Sequence, residues 1–461
     1  MTPNGRRPWR KLMRMHPAML LVSSFLAVIV LGALLLLLPA ASTSGSISVI
    51  NALFTATSAV CVTGLVVVDT GAYFTAFGQC VILFLIQIGG LGVMTISVML
   101  FRLVGRNVSF RQRMVLQDVF AHTPRSDIFQ ILGTIFAFTA IVELSGVALL
   151  FIHWHGEYPA GKALYMAVFH SISAFCNAGF ALFENSMMNY SGDVLLNLSM
   201  CSLIVLGGIG FPVVYDIYCN VRDRNARRFR LAVQTKTVLV ITAVLILVGA
   251  GVFGVLEESR TLSGKSAMES ALDALFQSVT CRTAGFNTVD IAGLSDATLV
   301  LMMFLMFFGA SPGSCGGGVK TTTLALLAAF SWSRIRGARR VNMFKRSVPP
   351  ETVTRSMSLI LVSVGLIGLV LFMVLLDDAS GRPDNVTASN HFLARLFEVV
   401  SAFGTVGLSM GATAALSAWD KSWIILLMFV GRVGVLTFSY IIAGGRAGNG
   451  LEFAEENVMI G

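Results

Sequence analysis

Four short stretches of this chain repeat one sparse pattern of side chains. In order they read FTATSAVCVTGL (Phe54 to Leu65), FHSISAFCNAGF (Phe169 to Phe180), FQSVTCRTAGF (Phe276 to Phe286) and FEVVSAFGTVGL (Phe397 to Leu408). Each has a Phe, a Ser or Thr four residues on (Ser58, Ser173, Thr280, Ser401) and a Gly followed by Leu or Phe (Gly64, Gly179, Gly285, Gly407). The residues just before the glycines are Val62-Thr63, Asn177-Ala178, Thr283-Ala284 and Thr405-Val406, which share no acid and no other ionisable type. What the four have in common is therefore backbone. Glycine adopts positive φ without steric cost and can turn its neighbours' carbonyls to one side. A ring of such carbonyls can replace the hydration shell of a cation, potassium in particular.

Such loops need helices to hold them. Each Phe-to-Ser/Thr segment reads as a half-length helix that enters and leaves the membrane on one side, ending near Ser58, Ser173, Thr280 or Ser401. The negative ends of their dipoles would face the cation. Non-helical backbone at membrane depth is tolerated only when protein buries it or when it lines a watery cavity. Four copies accordingly point to a central pore.

The rest of the chain supplies the membrane. Of its 461 residues 55% are apolar and 12% charged, against about 25% charged in an ordinary soluble domain. About 20 apolar residues span the hydrocarbon core, and runs of that size lie near 18–38, 77–101, 128–152, 193–217, 236–256, 298–327, 354–376 and 421–444. These define an all-α polytopic membrane protein. Its eight transmembrane helices form four outer-helix, pore-loop, inner-helix (M1–P-loop–M2) repeats around a central pore. The repeats cover 18–101, 128–217, 236–327 and 354–444, between an N-terminal segment 1–17 and a tail 445–461.

Charge sets the orientation. Most of the 33 Lys and Arg fall in the N-terminal segment, between Arg102 and Arg125, between Arg222 and Lys236, between Arg334 and Arg355, and at Arg446. By the positive-inside rule both termini are then cytoplasmic, in a plasma or inner membrane. The formal charge of +9 is thus a matter of topology, and nucleic acid is not expected as a partner. The bilayer is. Seven scattered cysteines without a CxxC pair or a suitably spaced His pair give no metal site. No span carries paired acids or a Ser–His or Ser–Lys set, so an enzyme is not expected.

Each inner helix has small residues at a matching depth: Gly89-Gly90-x-Gly92, Gly207-Gly208-x-Gly210, Gly309-Ala310 and Gly431-Arg432-x-Gly434. Taken alone these suit close helix packing. In the third repeat they open a run, GASPGSCGGG (309–318), that no straight helix survives. Gly309, Ser311, Pro312, Gly313, Ser314, Gly316, Gly317, Gly318 and Lys320 are read as an unwound, movable barrier below the loops. Arg432 is read as a mid-membrane charge facing the pore and hydrogen-bonding that barrier. A phosphate-binding GxxxxGK reading fails, because Val319 separates Gly318 from Lys320 and no strand precedes the run. Glu143 is expected to pair within the bundle or stay protonated rather than bind the ion, and His153, His155 and His170 to sit at the outer edge.

With these motifs the chain resembles the Trk/Ktr/HKT superfamily of potassium transporters, and within it the KtrB-type membrane subunit. The match runs over about 18–444, through FTATSAVCVTGLVVVDTG (Phe54 to Gly71), SVTCRTAGFNTVD (Ser278 to Asp290), the glycine-rich break and Arg432. The resemblance implies a potassium filter at Val62, Thr63, Gly64, Asn177, Ala178, Gly179, Thr283, Ala284, Gly285, Thr405, Val406 and Gly407, a gate at 309–318, and an Arg that opposes permeation. It also implies a homodimer and a cytoplasmic RCK-type, KtrA-like ring. That ring would bind the regulatory nucleotide (ATP or ADP); this chain would hold no cofactor, with potassium as its substrate and sodium as an activating ion. Glycine in all four loops matches potassium-selective members rather than sodium-carrying relatives with Ser in the first loop. Residues 1–17 are too few for the two extra N-terminal helices of the TrkH type. Cys281 stands where proline is expected in many relatives. The rival reading is a cation-coupled secondary transporter of a small solute, since broken helices and repeats also mark that class.

Overall fold

The computed structural model describes residues 17–92, 128–222, 231–338, 340–379 and 391–435. Apart from one-turn helices, the helices fall into four similar sets. The first is α1 (Pro17–Leu36), α2 (Val49–Val60) and α3 (Ala76–Leu91). The second is α4 (Ile128–Trp154), α5 (Ala160–Phe175), α6 (Val194–Ile209) and α7 (Phe211–Arg222). Next come α8 (Val233–Glu257), α9 (Ala267–Thr280), α10 (Asp296–Phe307) and α11 (Thr321–Ile335). The last are α12 (Pro350–Ala379), α13 (His391–Gly404) and α14 (Ala418–Val433).

Local sequence starts these helices where they start. Ser48, Thr75, Asp193, Ser266 and Ser295 each accept a backbone N–H of the first turn of α2, α3, α6, α9 and α10, and Ser417 with Asp420 forms a capping box on α14. Such caps satisfy donors that have no partner inside the helix.

Burial separates the members of each set. The long helices present Leu31, Leu144, Leu247 and Leu361 outward, all well exposed. The short ones turn Phe54, Phe169, Phe276 and Phe397 inward, each with no exposed surface. Three described helices are long and apolar enough to cross a bilayer unaided: Leu132–Trp154, Val233–Glu257 and Pro350–Asp377. A bent pair, Val194–Ile209 with Phe211–Arg222, would make a fourth.

The sets close into a ring. Each short helix packs on the long helix before it: α2 on α1, α5 on α4, α9 on α8, α13 on α12. The third helix of each set then packs on the short helix of the next: α3 on α5, α6 on α9, α10 on α13, and α14 back on α2.

The structure corrects three sequence expectations here. The span 193–217 is not continuous, because α6 and α7 meet at 90° where Gly210 takes φ +97. The third glycine of the motif also ends α3 at Gly92 (φ +84) and α14 at Gly434 (φ +100), so the third repeat is not alone in breaking. The short helices do end near the expected Ser or Thr, at Val60, Phe175, Thr280 and Gly404. Finally, the fold is not purely helical. Strands Asn342–Met343 and Arg346–Ser347 pair antiparallel in the basic segment after α11, around a turn in which Phe344 (φ +48) and Lys345 (φ +63) both take left-handed conformations. Two successive left-handed residues make a tight hairpin turn, one that usually advertises itself by glycine. The basic run Arg102–Arg125, residues 1–16 and 445–461, and most of the segment from Arg222 to Lys236 lie outside the described residues.

Candidate functional site

The four short helices end on one shared device. Val62, Asn177 and Thr405 take φ of +56, +58 and +51, and their N–H groups bond back to Ala59, Ala174 and Ala402. The next N–H, of Thr63, Ala178 or Val406, reaches the carbonyl of Ser58, Ser173 or Ser401 at 2.8–2.9 Å. This is a Schellman closure with a non-glycine residue in the left-handed position, at a cost of about 1–2 kcal/mol for each L-residue so placed. The third loop is one residue shorter. There Ala284 N–H bonds to Thr280 at 2.9 Å and Thr283 takes φ +74, so the deletion is absorbed in the cap and the loop beyond keeps its path.

Two residues after each of these comes the glycine, again left-handed: Gly64 (+87), Gly179 (+71), Gly285 (+81) and Gly407 (+93). These four close a second, inner ring. A Cβ on Gly64 would lie 2.9 Å from Gly179 Cα, one on Gly179 3.1 Å from Gly285 Cα, one on Gly285 3.3 Å from Gly407 Cα, and one on Gly407 2.8 Å from Gly64 Cα. The nearest atom to each is the carbonyl oxygen of Ala178, Ala284, Val406 or Thr63, respectively. Steric and conformational demands thus coincide on glycine, and four carbonyls gather around one axis.

The Ser/Thr of the repeat secures each loop, in two ways. Ser58 Oγ accepts from Gly64 N–H and Ser401 Oγ from Gly407 N–H, both at 3.1 Å. Ser173 Oγ and Thr280 Oγ1 instead donate to the carbonyls of Phe180 (2.8 Å) and Phe286 (2.6 Å). From sequence these residues read only as helix ends; as fasteners of the loops they were missed, although their fixed offset from the glycine was the signal. Thr63 Oγ1 is buried with no protein partner.

Below the ring lies the glycine-rich segment, sewn to the other repeats by its backbone. Ser311 and Cys315 N–H donate to the carbonyls of Gly208 and Gly207, both at 3.2 Å, which the end of α6 leaves open. Gly313 accepts from Phe211 N–H at 2.9 Å and Gly318 donates to Gly431 at 3.2 Å. Gly317 N–H donates to Thr405 Oγ1 at 2.9 Å. A Cβ on Gly309 or Gly316 would collide with the Thr283 side chain. The segment therefore sits directly under the third and fourth loops. Its own folds are held by Ser314 Oγ on Ser311 O (2.7 Å), Thr321 Oγ1 on Ser311 Oγ (3.1 Å) and Lys320 Nζ on the carbonyls of Gly316 (2.8 Å) and Gly317 (3.2 Å). Pro312 contributes a carbonyl that faces Gly210.

Arg432 joins two elements. Its guanidinium donates to the carbonyl of Cys315 in the segment and to that of Gly89 near the end of α3. The contact with Cys315 is the hydrogen bond to the glycine-rich run that the sequence led us to expect. The first glycines of the small-residue motifs have a separate use. Cβ atoms on Gly89, Gly207 and Gly431 would strike the carbonyls of Val60, Phe175 and Phe403, which end or nearly end the short helix of the same repeat.

Glu143 accepts from Gln87 Nε2 at 3.0 Å, within the bundle. His170 lies beside Trp154, the last residue of α4, with ring centroids 5.1 Å apart. It is fully buried, stacks on Phe183 at 5.1 Å, and accepts from Leu182 N–H through Nε2 at 3.1 Å while Nδ1 lies 2.8 Å from Met166 O. Those contacts brace the chain leaving the second loop. Among the described residues no group of three or more His, Cys, Asp or Glu is placed to hold a metal.

A ring of apolar helices closed around four glycine loops suits a membrane protein, and comparison with known proteins gives it a family. Residues 5–443 match the TrkH family model, described as cation transport protein. The chain belongs to that family, which places it among transporters rather than enzymes. It is 38% identical to the Ktr system potassium uptake protein B of Vibrio alginolyticus over the whole chain and 97% of that protein. It is 36% identical to the protein of the same name from Bacillus subtilis, covering 98% of each, and 36% identical to the potassium/sodium uptake protein NtpJ of Enterococcus hirae, covering 97% of this chain and 98% of that one. The crystal structure of the potassium transporter TrkH from Vibrio parahaemolyticus shares the fold, with a TM-score of 0.71 at 18% identity over 94% of this chain and 86% of that one.

Proposed function

We propose that this protein takes up potassium across the plasma membrane through a filter formed by the carbonyls around Gly64, Gly179, Gly285 and Gly407. The observation that carries the reading is the closed ring of left-handed glycines, each packed against a carbonyl of the next loop. Carbonyl oxygens held in this way can stand in for the hydration shell of potassium. The names of the Ktr relatives support the same ion. Thr63, Ala178, Ala284 and Val406 supply the carbonyls nearest the neighbouring glycines, and Val62, Asn177, Thr283 and Thr405 the turn beneath.

In this reading the segment 309–318 with Lys320 is the gate. It lies under two of the loops, and Arg432 fixes it while adding a positive charge that opposes cations. Eight crossings in four repeats, both termini cytoplasmic, complete the topology, with two such chains forming a homodimer. A cytoplasmic RCK-type ring that binds ATP or ADP regulates the gate through the basic segments 222–236 and 334–346. The Ktr-system names support a multi-part assembly, and the potassium/sodium name of NtpJ supports sodium as activating ion.

The test is cation uptake into proteoliposomes holding the purified chain, with potassium, rubidium and sodium compared across an imposed gradient. Potassium and rubidium flux well above sodium is the expected result. Obligatory coupling to another solute would turn the case to a secondary transporter.

A further inference from the structure

Two buried thiols meet where the glycine-rich segment touches the second loop. Cys176 is the C-cap of α5, one residue before Asn177, and Cys315 lies in the middle of the segment. Neither side chain has exposed surface. The backbone places them together: Cys315 N–H bonds to Gly207 O at 3.2 Å, and a Cβ on Gly207 would strike Phe175 O and lie 2.8 Å from the Asn177 side chain, the residues on either side of Cys176. On its far side the Cys176 sulfur fills a space kept by glycine, since a Cβ on Gly90 would lie 2.5 Å from it. The Cys176 thiol donates to Gln87 Oε1 at 3.5 Å, and Arg432 holds the Cys315 carbonyl.

One member of the pair is thus fixed at a helix end and the other rides on the irregular segment. We propose that Cys176 and Cys315 are a redox-modification site, forming a disulfide that ties the glycine-rich segment to the end of α5 and holds the ion pathway shut. The functional half of this inference rests on the reading of that segment as the gate. A disulfide requires close approach of the two Cβ atoms and a specific torsion, and a segment without helical hydrogen bonds can supply the small adjustment. A suitable oxidant is hydrogen peroxide, small and neutral enough to enter an aqueous pore. One thiolate attacks a peroxide oxygen, breaking the O–O bond and giving a sulfenic acid and, with one proton, water. The second thiol then attacks that sulfur, the S–S bond forms and a second water leaves. The two sulfurs together lose two electrons and two protons, and one peroxide is reduced to two waters.

The experiment treats the full chain in proteoliposomes with hydrogen peroxide, then measures rubidium uptake and maps disulfides by peptide mass spectrometry after blocking free thiols. The expected result is a linked peptide pair containing Cys176 and Cys315, a loss of most of the uptake, and recovery of both on reduction. Cys315→Ser and Cys176→Ala should each abolish the linked pair and leave uptake insensitive to peroxide; using two different positions guards against one variant failing to fold. Both thiols remaining free after oxidation would overturn the proposal, as would an equal loss of uptake in the two variants. A linked pair with unchanged uptake would keep the disulfide and overturn the segment as gate.

Discussion

The amide of Gly317 donates to the hydroxyl of Thr405 at 2.9 Å, so the glycine-rich segment hangs from the fourth loop by a side chain of that loop's own turn. The bond is buried, and removing its acceptor leaves an N–H without a partner, a loss of about 1–3 kcal/mol. Thr405→Val keeps the shape and the β-branch and deletes only the acceptor. Rubidium uptake should rise with the potassium-to-sodium ratio unchanged, and Thr405→Ser should behave as the parent chain. A shift in ion ratio in the Val variant would place the hydroxyl in the permeation path instead.

The glycine ring predicts an order of sensitivity. A Cβ on Gly407 or Gly64 meets the next Cα at 2.8 or 2.9 Å, whereas on Gly179 the approach is 3.1 Å. Every L-residue there also pays about 1–2 kcal/mol for its left-handed conformation. Alanine at Gly407 or Gly64 should therefore cost more potassium preference over sodium than alanine at Gly179, and Gly64→Ser should weaken that preference as well. Reversal potentials or competitive uptake in mixed potassium and sodium would rank the three. Unchanged selectivity in the Gly64 and Gly407 variants would remove the ring from the filter.

How far the sequence disclosed this site depends on what leaves a residue-type signature. Glycine 64 and its counterparts were legible because positive φ and a neighbour's carbonyl both exclude a side chain, and Phe54, Phe169, Phe276 and Phe397 because each is fully buried at an equivalent place. The bend at Gly210 was not, since Gly207-Gly208-x-Gly210 serves close packing at its first residue and a right-angle bend at its last, and composition does not separate the two uses. The split roles of Ser58 and Ser173 were also hidden: a hydroxyl both donates and accepts, and only the geometry selects. The bracing role of His170 was hidden because its partners, Met166 O and Leu182 N, are backbone and carry no residue identity.

Arg432 is a clamp with two jaws, on the carbonyls of Cys315 and Gly89. Hydrogen bonds from a charged donor contribute about 1.5–3 kcal/mol each, so Arg432→Ala should free the segment from α3 and raise uptake without altering selectivity. Arg432→Lys should fall between, because an ammonium is a compact point charge rather than a planar fork. Uptake in both variants at the parent level would show that the segment does not limit flux.

His170 gives the opposite expectation, a large effect on stability and none on ion choice. Its ring is fully buried, stacked on Phe183 and joined to Leu182 N–H and Met166 O. His170→Ala leaves a cavity and an unpaired N–H, and truncating a buried aromatic ring costs about 3–5 kcal/mol. The thermal unfolding temperature of the variant in detergent should drop by several degrees or more, with His170→Asn, which can still donate and accept, falling less. In variant protein that remains folded, the potassium-to-sodium ratio should match the parent. A changed ratio at unchanged stability would mean that the brace at Leu182 sets the position of the second loop's carbonyls and not merely the chain beyond them.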